Sequence, residues 1–303
     1  MASEAQIITA LAAVFQKPNS DLLVGIGDDG AVATSSGKKI VMSTDMAVEG
    51  VHFKRSWSTL KEIGGKITAA NLADIYAMGG VPKYLLVSAG LPSNITINDV
   101  TELANGIKAE ADLVGCAVVG GDISKASELV ISIAAVGEVE KPVTRSGAKL
   151  GDKVFLSNLP GFSAAGLAQL NLGVRESKYL SLHKKPVVAY KTGASFAGIN
   201  AMADISDGLL SECGHIATAS KVGIELQAEL IASMPGFNEL ADLAKSMNID
   251  IWSWVLSGGE DHAFLGCNPQ LPEGAFEIGV VVSGSGVKVN GASEINDLGW
   301  RHF

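Results

Sequence analysis

Cysteine is scarce in this chain and poorly placed for chemistry. Cys116, Cys213 and Cys267 are the only three, widely separated and without C-x-x-C spacing. Neither a disulfide framework nor a thiolate zinc site is expected, and all three read as small core residues. Long apolar runs are also missing: LVISIAAVG (Leu129–Gly137) falls well short of the roughly 18 residues that a membrane span needs. The opening MASEAQIITALAAVF has an early glutamate and helical periodicity but no basic n-region or cleavage site, so a cytoplasmic protein is expected. Positive charge is in the minority, with 23 Lys and Arg against 32 Asp and Glu and a net charge of −9. That argues against a nucleic-acid surface; a phosphate ligand would need cations to mediate. The chain has no G-x-x-x-x-G-K-[ST] loop, H-R-D or D-F-G element, G-x-S-x-G elbow or D-x-[DN]-x-[DN]-G loop. P-loop and protein-kinase architectures, α/β-hydrolases and EF-hands are thereby excluded.

Apolar material is plentiful. Hydrophobic residues make up 47% of the 303 residues and the mean hydropathy is +0.29. The length suits two domains of about 150 residues, with no internal repeat or low-complexity tract. The boundary is expected near residues 140–150, dividing the chain into 1–145 and 146–303.

Glycine is abundant, at 35 residues, and clusters beside acids. GIGDDG (Gly25–Gly30) matches the dinucleotide-binding G-x-G-x-x-G, with the apolar run Leu22, Leu23, Val24 and Ile26 before it. A helix should follow, and does not: AVATSSGKKIVMSTD reads as an apolar stretch, a Ser-Ser-Gly-Lys turn and a second β-type run over 39–43. Without a helix N-terminus nothing holds an anion there, and Asp28 and Asp29 would repel one unless a cation intervened. Two readings stay open, a solvated acidic turn or a carboxylate pair for metal.

The pattern recurs in STDMAVEGVHF (Ser43–Phe53), NLADIYAMGGVP (Asn71–Pro82), VVGGD (Val118–Asp122), ADISDG (Ala203–Gly208) and SGGEDH (Ser257–His262). Most follow β-branched runs and are expected at strand ends. Asp74 differs, because Ile63, Ile67, Ala70 and Met78 predict a helix from about Leu60, along which Asn71 and Asp74 sit at i, i+3. An aspartate beside an apolar stripe is costly unless paired or metal-bound. Any one of these acids alone is an ordinary cap or turn residue; Asp207, before Gly208, could simply begin the helix LLSECGHIATAS. Together they suit magnesium, a hard cation taking carboxylates, waters and substrate phosphates, and hence phosphoryl transfer.

GIGDDGAV, STDMAVEGVHF, NLADIYAMGGVP, GGD, R-x-G-A-K-x-G-D, SAAGL, ADISDGL and SGGED occur over about residues 24–262 in an order that resembles the thiamine-monophosphate kinase family of the PurM-like superfamily. The resemblance implies a two-domain α/β (α+β) fold, with N-terminal domains pairing into a β-barrel across a homodimer and a C-terminal α/β domain. It implies ATP-dependent phosphorylation of thiamine monophosphate to thiamine diphosphate by direct transfer of the γ-phosphate. Several magnesium ions lie between the phosphates, and potassium often assists. By position, Asp28, Ser43, Thr44, Asp45, Asp74, Asp122, Asp204 and Asp207 resemble the metal ligands, Asp45, Asp74 and Asp122 being nearest the chemistry. Gly121, Asp122, Arg145 and Ser206 resemble the ATP contacts. His52, Glu260 and Trp300 resemble the residues meeting the thiamine phosphate. No nucleic acid or membrane partner is implied.

Plainer readings stand beside these: His52 as a histidine on a strand, Arg145 as an exposed residue of the linker KPVTRSGAKLGD, Glu260 as solvated, Trp300 as a packing plug. SAAGL is expected to start a helix without chemistry of its own. The chain departs from the family pattern at Ile123, Ser124 and Lys125 after GGD, at His262 and Ala263 after GGED, at Asn158–Gly161 before SAAGL, and at Ala104 and Asn105 before Gly106. Metal ligands are kept and the changes fall on the nucleotide and substrate rims. The alternatives are a PurM-like enzyme with another acceptor, which STDMAVEGVHF and ADISDGL oppose, or a silent nucleotide-binding protein, which has no need of so many mutually repelling carboxylates.

Overall fold

The computed structural model describes residues 22–24, 28–35 and 37–292. Trp300, Gly25–Gly27 and the N-terminal stretch expected from its periodicity to be helical lie outside the described residues.

The first of two six-stranded sheets opens with β1 (Leu22–Val24), β2 (Ala31–Ser35) and β3 (Lys38–Val48). β2 and β3 form the hairpin expected after Gly30, with Val32 opposite Val41. β4 (Val81–Leu91), β5 (Ala117–Lys125) and β6 (Val130–Glu138) complete it in the order β1-β2-β3-β6-β4-β5. Only β4 and β5 run parallel. Residues alternate along β6, and Ile131, Ile133 and Ala135 are fully buried on one face, as a sheet covered on one side requires.

The cover is α1 (Leu60–Ala77) and α2 (Ile97–Asp112). α1 begins at Leu60 because Thr59 and Glu62 form a reciprocal capping box, which satisfies the first free amides of the helix. Thr96 and Asp99 do the same for α2. Ile63, Leu72 and Ile75 of α1 are almost wholly buried against the sheet. Among the described residues the opposite face of the sheet is bare: Met42, Met46, Tyr84 and Leu86 alternate to that side and present large apolar surfaces, and β5 is exposed along its length.

The second sheet contains β7 (Lys153–Leu156), β8 (Ala201–Asp204), β9 (Gly223–Gln227), β10 (Phe264–Asn268), β11 (Phe276–Val282) and β12 (Gly286–Asn290). Its order is β12-β9-β11-β7-β10-β8, antiparallel except for β12 beside β9. Helices α3 (Phe162–Asn171), α4 (Lys178–Lys184), α5 (Tyr190–Ser195), α6 (Leu209–Ser220), α7 (Ala228–Ala232), α8 (Phe237–Ser246) and α9 (Ile251–Ser257) surround it. SAAGL falls in α3, and LLSECGHIATAS forms α6. The three cysteines are buried and free.

Aromatic packing joins the two halves. Tyr76 of α1 lies 5.4 Å from Tyr190 and 6.4 Å from Phe264, ring centre to ring centre. Phe155, Phe196 and Phe264 thereby share one apolar core with the first sheet.

Two expectations about strand ends change. Ser43, Thr44 and Asp45 lie within β3, which pairs with β6 from Ile40 to Val48, and GGD lies inside β5. The strands run on because their ladder partners supply hydrogen bonds beyond the local apolar run.

Candidate active site

Three carboxylates from three distant segments converge. Asp29 follows Asp28 in the turn before β2, Asp74 lies on α1, and Asp204 is the last residue of β8. Each offers an oxygen, and these oxygens all lie within 4.8 Å of one another. Asp204 is fully buried and the other two partly so. Asp29 Oδ2 and Asp204 Oδ1 are buried with no hydrogen-bond partner among the described residues. A buried anionic oxygen without a donor is costly, and a hard cation with oxygen ligands removes that cost. The donor set fits magnesium.

The electrostatics agree. Burial raises the Asp29 carboxyl well above its usual range; Arg145 opposes this, while Asp204, Glu212 and Asp28 add to it. Asp74 is also raised well above normal, by burial and then by Asp45, Asp204 and Asp29, with the Ser43 hydrogen bond opposing. Asp45 is pushed up to about 6 by burial, against the charge of His262. Such crowding of acids destabilises the ionised cluster until positive charge arrives.

Neighbouring residues fix the cluster. The Ser43 hydroxyl donates to Asp74 Oδ2. Asn71 Oδ1 accepts the Asp45 backbone N–H at 3.1 Å, and its Nδ2 donates to Ile67 O at 2.8 Å, so this asparagine ties β3 to α1. Thr44 alternates to the other face of β3, where its hydroxyl donates to Ile133 O at 3.0 Å. His262 Nδ1 lies 2.7 Å from Asp204 Oδ2.

Asp28 stands apart from the triad and accepts the Arg145 backbone N–H, at 3.2 Å on Oδ2. The Arg145 side chain is buried rather than exposed in a linker; its Nη2 reaches Asp29 at 2.7 Å and Glu212 at 2.9 Å. Burial works against its charge, yet Asp29 and Glu212 raise its pKa. Asp207 and Ser206 lie between β8 and α6 and line the cleft. Gly208 is the N-cap of α6, so Asp207 does not begin that helix. Asp122 is not brought to the cluster within one chain. Asp45 pairs with Ile133, Ile133 with Val87, and Val87 with Gly121, leaving Asp122 about three strand spacings, or roughly 14 Å, away. A Cβ on Gly121 would lie 1.8 Å from Val87 O, so β4 itself demands glycine there.

Asp74 of the cluster lines a cavity of about 920 Å³. Asp45, Asp74, Ser206, Asp207 and His262 line one end, and Phe53, Trp57, Ile63, Ile67 and Leu167 form apolar walls. Between them Lys66 Nζ donates to Glu260 Oε2 at 2.9 Å and reaches His52 O at 3.3 Å. Burial opposes the charge on Glu260, but Lys66 and His183 hold its carboxyl below the usual range. His183 is lowered to about 4 by burial and the Lys66 charge, so it is neutral near pH 7. His52 sits in the turn after β3 rather than on a strand, its Nδ1 accepting the Val48 N–H at 3.1 Å.

Residues 27–139 match the N-terminal domain, and 149–291 the C-terminal domain, of the AIR synthase related protein family. The thiamine-monophosphate kinase of Mycobacterium tuberculosis is 39% identical over 290 residues, 93% of this chain and 86% of that protein. The Aquifex aeolicus enzyme is 37% identical over 290 residues, 92% of each chain. A solved structure described as AaThiL complexed with AMPPCP and TMP superposes with a TM-score of 0.90 at 34% identity, covering 99% of this chain and 97% of that one.

The chain belongs to the thiamine-monophosphate kinase family.

In this kinase, three of the positions expected to depart from the family pattern lie at the surface. Ala104 and Asn105 are exposed on α2, and Ile123 is exposed on β5. Asp29 was read from the sequence only as half of an acidic pair, with Asp28 taken as the ligand; Glu212, Lys66 and His183 were not singled out. One signal for Lys66 was available: it precedes Ala70 and Asp74 at i+4 and i+8, on one helix face.

Proposed function

We propose that this protein transfers the γ-phosphate of ATP to the phosphate of thiamine monophosphate. A phosphate oxygen of the acceptor bonds to the γ-phosphorus and the bond to the β,γ-bridging oxygen breaks, giving thiamine diphosphate and ADP without a phosphoenzyme. The observation that carries the reading is the Asp29, Asp74 and Asp204 cluster, whose Asp74 lines the acidic end of a cavity with apolar walls.

Asp29, Asp74 and Asp204, with Asp28, Ser43, Asp45 and Asp207 beside them, would hold several magnesium ions, with potassium assisting. When bound, these ions neutralise phosphate charge and align donor with acceptor. The protein's own part is positioning. Ser43 and Asn71 hold Asp74 and the Asp45 strand in place. Arg145 keeps Asp29 in place, and its outer surface, with Ser206 and Gly121, meets the nucleotide. Phe53, Trp57 and Leu167 enclose the thiamine rings, while His52, Glu260 and Lys66 supply polar contacts along the cavity.

The bare face with Met42, Met46, Tyr84 and Leu86 supports a homodimer whose first sheets close into a barrel, since so much exposed apolar surface marks an interface. We propose a division at residues 1–145 and 146–303 and a cytoplasmic location; among the described residues, no helix is long and apolar enough to cross a membrane. The test is incubation with ATP, magnesium and either thiamine monophosphate or free thiamine. Thiamine diphosphate is expected from the monophosphate alone, because the acceptor must bring its own phosphate to the metals. Phosphorylation of free thiamine at a comparable rate contradicts the reading.

A further inference from the structure

The loop between α9 and β10 reaches both the middle and the acidic end of the cleft. Gly258, Gly259, Glu260 and His262 line the cavity, and Asp261 does not. Asp261 turns the other way and is 9% exposed. Its Oδ2 accepts the Gly161 N–H at 2.7 Å and its Oδ1 the Ser163 N–H at 3.0 Å. These amides open α3, whose N-cap, Gly161, has φ 106° and no side chain to cap with. Asp261 therefore caps α3 from a loop about a hundred residues away.

The two residues beside it are both in the left-handed region, Glu260 at φ 64° and His262 at φ 50°. Side chains disfavour that region, so surrounding contacts must hold it. On the inner side the Glu260 N–H donates to Ser206 O at 2.7 Å and the His262 N–H to Ile205 O at 2.9 Å. On the outer side the restraint is the Asp261 carboxylate. The resulting twist sends Glu260 to Lys66 at the middle of the cavity and His262 to Asp204 at the cluster.

We propose that Asp261 is a positioning residue for both partners in the reaction, fixing Glu260 toward the thiamine phosphate and His262 toward the metal-holding Asp204. The inference rests on the proposed function. It acts through geometry: the paired acceptor on α3 fixes the tilt of the loop, and the tilt fixes two side chains that face different ligands.

The experiment uses Asp261→Asn, which keeps size but loses one of the two acceptors, and Asp261→Ser, which can cap only one amide. For both, KM for thiamine monophosphate should rise at least tenfold and half-saturating magnesium should rise with it, while Tm falls by only a few degrees. Adding Asp261→Asn to Glu260→Gln should raise the acceptor KM less than twofold further, because a shared route makes the effects non-additive. Likewise it should add little to the magnesium requirement of His262→Gln. A purely structural cap would lower Tm and leave both constants alone. Constants within twofold of wild type, full additivity in both cycles, or loss of the fold in both variants overturns the inference. If wild type turns over thiamine monophosphate, those outcomes leave the proposed function standing; a wild type that does not turn it over overturns both.

Discussion

Arg145 lies 2.7 Å from Asp29, across 116 residues of sequence, and is the guanidinium that holds the first carboxylate of the cluster in the interior. The same Nη2 reaches Glu212 at 2.9 Å. The side chains of Asp29 and Glu212 are only 3% and 1% exposed. Removing the arginine leaves two buried acids facing each other.

Arg145→Met should therefore destabilise the metal-free protein by about 3–5 kcal/mol, the usual cost of stranding a buried charge. Chemical denaturation in EDTA measures it. A loss under about 1 kcal/mol would mean that Asp29 and Glu212 are solvated or neutral without their partner.

Asp45→Asn should cut kcat at least about 10²-fold, by analogy with the loss of one electrostatic stabiliser. The KM for ATP should change little, since the charge matters most as transfer proceeds. Near-normal kcat at saturating magnesium removes Asp45 from the site.

Asp74→Asn should melt higher than wild type in EDTA, because one of several mutually repelling buried charges is gone while Ser43 keeps an acceptor. The gain is on the order of 1 kcal/mol. Magnesium with a non-hydrolysable ATP analogue should reverse the ranking, as tighter binding stabilises wild type more. Equal melting curves in both conditions would make Asp74 a bystander.

The pH dependence of the metal-free protein has a defined sign. Asp45 and Asp261 are raised to about 6, chiefly by burial, and Asp28, Asp29 and Asp74 are raised as well. Their unfolded values are near 3.8, so between these limits the folded state binds more protons. The stability this supplies is complete below about pH 4 and is lost as the pH rises through about 6. Glu260, held low by Lys66 against its burial, works the opposite way. Thermal melts in EDTA should give a lower Tm at about pH 6.5 than at about pH 4.5, and magnesium should shrink the gap. A Tm that rises over this interval contradicts the burial of the cluster.

Local rules made much of the fold legible. Thr59 and Glu62 cap a helix whose apolar spacing begins at Leu60, and the Ser-Ser-Gly-Lys turn forces the β2–β3 hairpin. Long-range choices were not legible. Nothing in the Asp28–Asp29 pair says which carboxylate faces the cluster, because Arg145 decides that from another segment. The run over 39–43 cannot show that β3 continues to Val48, since its ladder partner β6 begins at Val130. Asp122 reads like Asp45 in sequence, and only the strand order separates them. Lys66, His183 and Glu260 meet from three elements, and only the Lys66 spacing hinted at it.

The most direct measurement follows the phosphate itself. ATP labelled in its γ-phosphate is incubated with the protein, magnesium and thiamine monophosphate, and the product phosphates are separated. The label should appear in the terminal phosphate of thiamine diphosphate, one for each ADP formed, with the original phosphate unlabelled and none bound to protein. Label found only in inorganic phosphate, on the protein, or in a product of free thiamine would contradict the account.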